Sequence, residues 1–133
     1  MIAGVADTHA AIWFLSGDPR LSAIAKEFFD QAAIARKKIV LSPISLAEVV
    51  YLVEKKRLPA SAFDDIKTAL KNPNHVLEEG PFTAEVVDAM RKVSREAVPD
   101  MPDRIVSATA VFLGVPVISR DGRIRASNVQ TIW

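Results

Sequence analysis

Ile2-Ala3-Gly4-Val5-Ala6-Asp7-Thr8-His9-Ala10-Ala11-Ile12-Trp13-Phe14-Leu15 runs from a strand through a carboxylate into a helix, the unit on which the rest of the chain is patterned. Its first five residues form a short apolar run of strand type, Ile2–Ala6. A carboxylate ends the run, and His9–Leu15 continues as a short helix that Gly17-Asp18-Pro19 stops. The same alternation recurs downstream. Leu21–Ala35 places Leu21, Ile24, Ala25, Phe28, Phe29 and Ala32 at amphipathic-helix spacing, and Lys38–Leu41 is a second strand. Ser42-Pro43 supplies an N-cap and a proline at the first helical position, opening a helix through Lys56. After Pro59, Ala60–Lys71 is helical, Asn72-Pro73-Asn74 turns, and His75–Glu78 is a weak strand. Thr83 is expected to cap a helix reaching about Arg95. Pro99–Pro102 is a linker, and Asp103–Leu113 is an apolar helix stopped by Gly114. Val115–Ser119 is a strand, Asp121–Arg125 a turn or short helix, and Val129–Trp133 the last strand. Strands alternating with helices imply an α/β fold, with a mainly parallel central sheet and helices on both faces.

Composition narrows the function classes. The 133 residues suit one domain over 1–133. A chain of this length buries roughly two-thirds of its unfolded surface without needing staples. There is no cysteine, which removes disulfides, thiolate metal sites and thiol catalysis. Two histidines make a histidine-rich zinc site a poor fit. The five glycines are scattered singly, so no phosphate loop is present. Met1–Asp7 has no basic region ahead of a long apolar stretch, and no apolar run reaches membrane-span length. The expectation is a cytoplasmic protein with no membrane partner. A net charge of +1 neither favours nor excludes a polyanion, whose binding would need local patches.

In parallel α/β sheets, ligands sit beyond the carboxyl ends of the strands. Asp7 follows the first strand and Asp121 follows Val115–Ser119, so both fall on that edge. Each acid also has a purely structural reading. Asp7 could cap the following helix. Glu48, in Ser45-Leu46-Ala47-Glu48-Val49-Val50-Tyr51, could share a solvated stripe with Ser45 and Lys55, or be a partly buried carboxylate among apolar flanks. Asp103 could simply serve a helix N-terminus, with Asp100-Met101-Pro102-Asp103 as a capping arrangement. Asp121 could be an Asp-Gly turn. Gathered at one edge, however, such carboxylates repel one another, and Mg²⁺ or Mn²⁺ would neutralise them. These ions suit in-line cleavage of a phosphodiester by water, with no protein nucleophile.

Four segments resemble the PIN-domain family, especially the VapC-type toxins of bacterial and archaeal toxin–antitoxin pairs. They are Asp7-Thr8-His9-Ala10-Ala11-Ile12-Trp13, Ser42-Pro43-Ile44-Ser45-Leu46-Ala47-Glu48, Pro102-Asp103-Arg104-Ile105-Val106-Ser107-Ala108, and Val117-Ile118-Ser119-Arg120-Asp121. They follow in the family's order across almost the whole chain. The resemblance implies a PIN-like fold and a Mg²⁺- or Mn²⁺-dependent endoribonuclease that hydrolyses RNA. It carries over Asp7, Glu48, Asp103 and Asp121 as catalytic and metal-binding acids, with Asp100, Ser119 and Thr8 as accessories. It also implies a homodimer and a small antitoxin whose tail covers the groove near the acids. Related sequences often carry a histidine shortly before Asp100, where this chain has Ala97-Val98-Pro99.

Arg120, Arg123 and Arg125 flank Asp121 and could grip RNA phosphates, or form a solvated turn. Arg104 is expected to pair with a neighbouring acid. His9 has a structural reading and a phosphate- or water-orienting one. Trp13, Phe14, Phe28 and Phe29 exceed what a core face of two short helices needs, so part of that surface could meet a second copy or a partner. Two other functions compete with the toxin: a PIN nuclease of RNA processing, and a non-catalytic α/β binding module such as a signalling receiver. A receiver would want paired acids at the first strand end, whereas Asp7 stands alone and Glu48 is helical.

Overall fold

A computed structural model describes residues 1–133. Five strands, β1 (Ile2–Ala6), β2 (Lys38–Leu41), β3 (Leu77–Glu79), β4 (Val117–Ile118) and β5 (Thr131–Ile132), form one sheet in the order β3-β2-β1-β4-β5. Every neighbouring pair is parallel. Parallel neighbours need crossovers, and helices supply them. α1 (Thr8–Ser16) and α2 (Ala23–Ile34) lead to β2, and α3 (Pro43–Glu54) and α4 (Ala62–Lys71) to β3. α5 (Ala84–Ala89) and α6 (Met101–Leu113) lead to β4, and α7 (Gly122–Ala126) to β5. None of these helices is long and apolar enough to cross a membrane.

Alternating side chains along each strand feed two separate cores. Ala6, Ile39, Leu41 and Ile118 pack with Ala10, Phe29, Val49 and Ile66. Val5, Val40 and Val117 pack with Val86, Val98, Val106 and Ile124. Both faces of the central strands are therefore covered, which is why β1, β2 and β4 read as nearly continuous apolar runs. The chain leaves β1 toward β2 and β3, then returns to place β4 on the other side of β1. This reversal makes the β1–β4 boundary the topological switch point, where α/β sheets open a crevice. Register aligns it: Ala6 lies beside Leu41 and beside Ile118. The residues that follow, Asp7, Ser42 and Ser119, thus emerge together at one edge.

Several boundaries differ from the sequence reading. The helix expected from Thr83 to Arg95 ends at Ala89, followed by a 3-10 turn, Met90–Lys92, and the Thr83 hydroxyl makes no capping bond. The Arg104 guanidinium accounts for this end. It donates to the carbonyls of Met90 at 2.7 Å and Val93 at 3.0 Å, the acceptors a continuing helix would have used. Arg104 therefore serves backbone carbonyls and not an acid. β4 is shorter than Val115–Ser119, because the Val115 amide closes the end of α6 on Ala110 and Pro116 has no amide to give. β3 begins at Leu77, because His75 accepts the Leu77 amide through Nδ1. Ile24 is 63% exposed, since α2 turns Ala25, Phe29 and Ala32 inward. Trp13 and Phe29 are buried, and Phe14 stacks on Phe29 at 4.2 Å, so these aromatics furnish the core and not a free surface.

Gly80 marks a close approach. Its amide donates to Leu41 at 2.9 Å, and a Cβ there would lie 2.0 Å from Cγ1 of the fully buried Val40. Val40 is β-branched and packed, so it cannot swing away cheaply. Gly80→Ala is expected to lower stability by about 1–3 kcal/mol in urea unfolding. An unchanged midpoint would mean that β2 and β3 are spaced more widely at this end.

Candidate active site

The edge where β1, β2 and β4 end carries an open cleft of about 240 Å³. Asp7, Thr8, His9, Trp13, Arg20, Glu48, Asp103, Arg120 and Asp121 line it. The four acids singled out in the sequence thus come together from four different segments.

Asp7 caps α1, the structural role open to it, and still faces the cleft. One carboxylate oxygen accepts the Ala10 amide at 2.9 Å, capping α1, while the other accepts the Ser119 hydroxyl. Burial pushes its pKa above the ordinary carboxylate range, against the pull of those two hydrogen bonds and of His9. The negative charge of Asp121 raises it further. Ser119 is completely buried and also accepts the Asp121 amide at 3.0 Å, so one hydroxyl ties the end of β1 to the turn after β4.

Glu48 sits inside α3 and accepts a hydrogen bond from Thr8. The Thr8 hydroxyl is 2.9 Å from that of Ser45, and both residues are buried. A solvated stripe through Ser45 and Glu48 is therefore absent, and Glu48 turns toward the cleft. Asp121 caps α7, accepting the amides of Arg123 at 2.9 Å and Ile124 at 3.1 Å through one oxygen.

Asp103 is the least constrained of the four. The helix begins two residues earlier than expected, at Met101, and the cap is Asp100, whose carboxylate accepts the Asp103 amide at 3.2 Å. Capping is thus Asp100's role, and the Asp103 carboxylate is left for the cleft. Burial pushes its pKa up to about 7, aided by the charges of Asp100, Asp121, Glu48 and Asp7. This has a thermodynamic consequence for the metal-free protein. Unfolded, Asp103 loses its proton near the ordinary aspartate value of 3.8, and folded only near 7. The native state therefore holds the extra proton between those values, and stability falls as pH rises through that window. In EDTA, Asp103→Asn is expected to be more stable than wild type at pH 8 by roughly 1–2 kcal/mol, allowing for partial solvent screening. Near pH 4 the difference should shrink towards zero. Thermal melts at both pH values check this, and a mutant destabilised at pH 8 would contradict the strained carboxylate.

The remaining sequence candidates divide. Thr8 and Ser119 support acids directly, and Asp100 is exposed and acts through its cap and its charge. His9 is exposed at the rim, with its ring 5.6 Å from that of Trp13. Arg120 lines the cleft, whereas Arg123 and Arg125 lie on the exposed surface of α7 and do not. Arg20 was not anticipated. It belongs to the α1–α2 connection, and the Trp13 ring beneath it and the Asp18 carboxylate beside it hold it at the cleft. The sequence carried no signal for it beyond Asp18-Pro19-Arg20.

A model of the PIN domain matches residues 5–128, spanning every one of these positions. The chain belongs to the PIN-domain family. Ribonuclease VapC22 of Mycobacterium tuberculosis, a curated relative, is 25% identical over 130 residues, covering 96% of this chain and 95% of that protein. Among solved structures, VapBC2 from Rickettsia felis, bound to a DNA fragment from its promoter, aligns with a TM-score of 0.71. That match has 16% identity and covers 98% of this chain and 97% of the other. FitAcB from Neisseria gonorrhoeae aligns with a TM-score of 0.59 and 19% identity, covering 96% and 95%. Both structures share the PIN fold.

The donor chemistry of this PIN cleft fits a hard divalent cation. Its potential ligands are carboxylate oxygens, and burial together with neighbouring negative charge keeps Asp103 protonated well above its usual range. No three acids converge closely enough to cage an ion by themselves. That suits Mg²⁺ or Mn²⁺, which keep several waters and take only one or two carboxylates alongside substrate oxygens.

Proposed function

We propose that this protein is a divalent-metal-dependent endoribonuclease, the toxin of a type II toxin–antitoxin pair. In this reading it hydrolyses RNA phosphodiesters at Asp7, Glu48, Asp103 and Asp121. The observation that carries it is the meeting of four carboxylates at the switch-point edge, with Asp103 held up to about 7 by burial and like charge. Likeness to a ribonuclease over nearly the whole chain supports it.

Asp7, Glu48, Asp103 and Asp121 would hold Mg²⁺ or Mn²⁺, directly or through water. Such an ion activates a water for attack and neutralises charge developing on the phosphodiester. The protein's part is positioning. Ser119 fixes Asp7 relative to Asp121, and Thr8, backed by Ser45, fixes Glu48. Asp100 holds the first turn of α6 and keeps Asp103 facing the cleft uncommitted. Arg120 would supply positive charge for an RNA phosphate, and Arg123 and Arg125, exposed on α7 outside the cleft lining, would be further contacts.

The partners follow the same reading. A groove of about 630 Å³ adjoins the cleft, lined by Ile12, Leu15 and Leu58 together with Asp18, Arg57 and Asp65, and is suited to an amphipathic tail of a small antitoxin. Val50 and Tyr51 on α3 and Phe82 and Val87 at α5 are exposed apolar surface available to a homodimer. The working compartment is the cytoplasm, where RNA is found.

Incubating the purified protein with a pool of structured RNAs tests the activity. Cutting is expected with Mg²⁺ or Mn²⁺ and not with EDTA. Cutting that persists in EDTA, or none by folded, antitoxin-free protein with either metal, would overturn the assignment.

A further inference from the structure

Two arginines distant in sequence lie on one indole. The Arg120 guanidinium carbon is 4.6 Å from the centroid of Trp13, and that of Arg20 is 4.9 Å. Arg120 comes from the turn after β4, Arg20 from the α1–α2 connection, and Trp13 from α1 between them. His9 and Trp133 press on the same indole, with ring centroids 5.6 and 6.0 Å away. Trp13 is only 4% exposed. It therefore has no free face on which a base could stack, and its visible role is to carry cations.

The two guanidiniums retain unused donors. Arg20 gives Nε and Nη2 to Asp18, at 3.1 and 2.7 Å, which sets its plane and leaves Nη1 open. Arg120 shares the cleft with four carboxylates yet pairs with none, because it stacks on the indole. An exposed arginine among acids would ordinarily pair with one of them. Arg120 is held back from doing so, and Arg20 is occupied by an acid outside the cleft lining.

An acidic cleft by itself repels a polyanion, so a nuclease built on carboxylates needs fixed positive charge beside them. A guanidinium fork suits phosphate oxygens better than an ammonium does. Building on the ribonuclease reading above, we propose that Arg20 and Arg120, carried on Trp13, form a two-pronged grip on the backbone phosphates flanking the bond to be cut, with Asp18 bracing the Arg20 prong. The grip reads backbone and not bases, so it serves every sequence alike.

The test separates the grip from the activity by measuring binding without cleavage. In an Asp7→Asn background, the dissociation constant of a mixed-sequence single-stranded RNA oligonucleotide is measured across a salt series. Arg20→Gln and Arg120→Gln are each expected to weaken binding roughly tenfold. Each should also flatten the plot of log K against log salt by about 0.7, one phosphate contact on a single strand. Arg20→Lys should restore most of the slope but not all of the affinity. Asp18→Asn, which frees the prong without removing its charge, should weaken binding and leave the slope in place. Loss of packing on Trp13 alone would lower the melting temperature without changing the slope. RNA binding in the Asp7→Asn background with an unchanged slope in Arg20→Gln and Arg120→Gln would overturn the grip and leave the ribonuclease reading standing. Absence of any RNA binding in that background would overturn both.

Discussion

Asp7→Asn is expected to lose Mn²⁺-dependent RNA cleavage by about a thousandfold or more while folding normally. The substitution is isosteric, and an asparagine oxygen can still accept the Ala10 amide that caps α1. What disappears is one negative charge at the cleft floor, held in place by Ser119. A divalent ion stabilises charge in phosphodiester cleavage by several kcal/mol, and a thousandfold corresponds to about 4 kcal/mol. The folded mutant should melt no lower than wild type in EDTA, since burial disfavours the charged form of Asp7. Cleavage rates of the two proteins under saturating Mn²⁺ measure the first effect, and melting curves the second. Full activity in a folded mutant would remove Asp7 from the site.

Phe29→Ala should have the largest effect on stability. Phe29 is wholly buried on the face of the sheet that carries α1–α4, stacked against Phe14 with ring planes only 7° apart. Truncation leaves a void beside Phe14 within the core cluster that includes Ala6, Ala25 and Ile39, which rigid strands cannot close. The expected loss is about 3–5 kcal/mol, a large share of the 5–15 kcal/mol typical of a domain. Ile24→Ala, five residues earlier and on another face of the same helix, should cost little, because Ile24 is 63% exposed. Denaturant midpoints of the pair measure the contrast. Equal losses at the two positions would mean that α2 is rotated from the phase described here.

Those two neighbours on α2 also show where legibility stops. Apolar spacing announced the helix but listed Ile24 with Ala25, Phe28 and Phe29, and a periodicity count cannot choose among adjacent apolar residues until a partner surface exists. β1 and β2 were readable to the residue, because central strands covered on both faces are continuous apolar runs. β4 and the end of α5 were not. Their boundaries depend on the Val115 amide closing α6 and on Arg104 reaching the Met90 and Val93 carbonyls, and both are tertiary hydrogen bonds.

The acids of the site were legible for a related reason. Asp7 and Asp121 follow strands directly, so topology alone places them on one edge, and Glu48 stood out as a charge in an apolar helix. Asp103 was ambiguous with a helix cap until Asp100 was seen to fill that position. Arg20 was illegible, because a loop arginine goes where its supporting ring is, and the burial of Trp13 is a property of the whole fold.

Binding of a divalent ion by these carboxylates can be measured without knowing which RNA is cut. Calorimetric titration of Mn²⁺ into purified, EDTA-stripped protein, with Asp7→Asn and Asp103→Asn in parallel, tests it most directly. Saturable binding is expected in the wild type, accompanied by proton release near pH 7 as Asp103 ionises, and is expected to be lost or strongly weakened in both variants. Mn²⁺ binding of equal strength in wild type and both folded variants would place the ion elsewhere and contradict the site assignment.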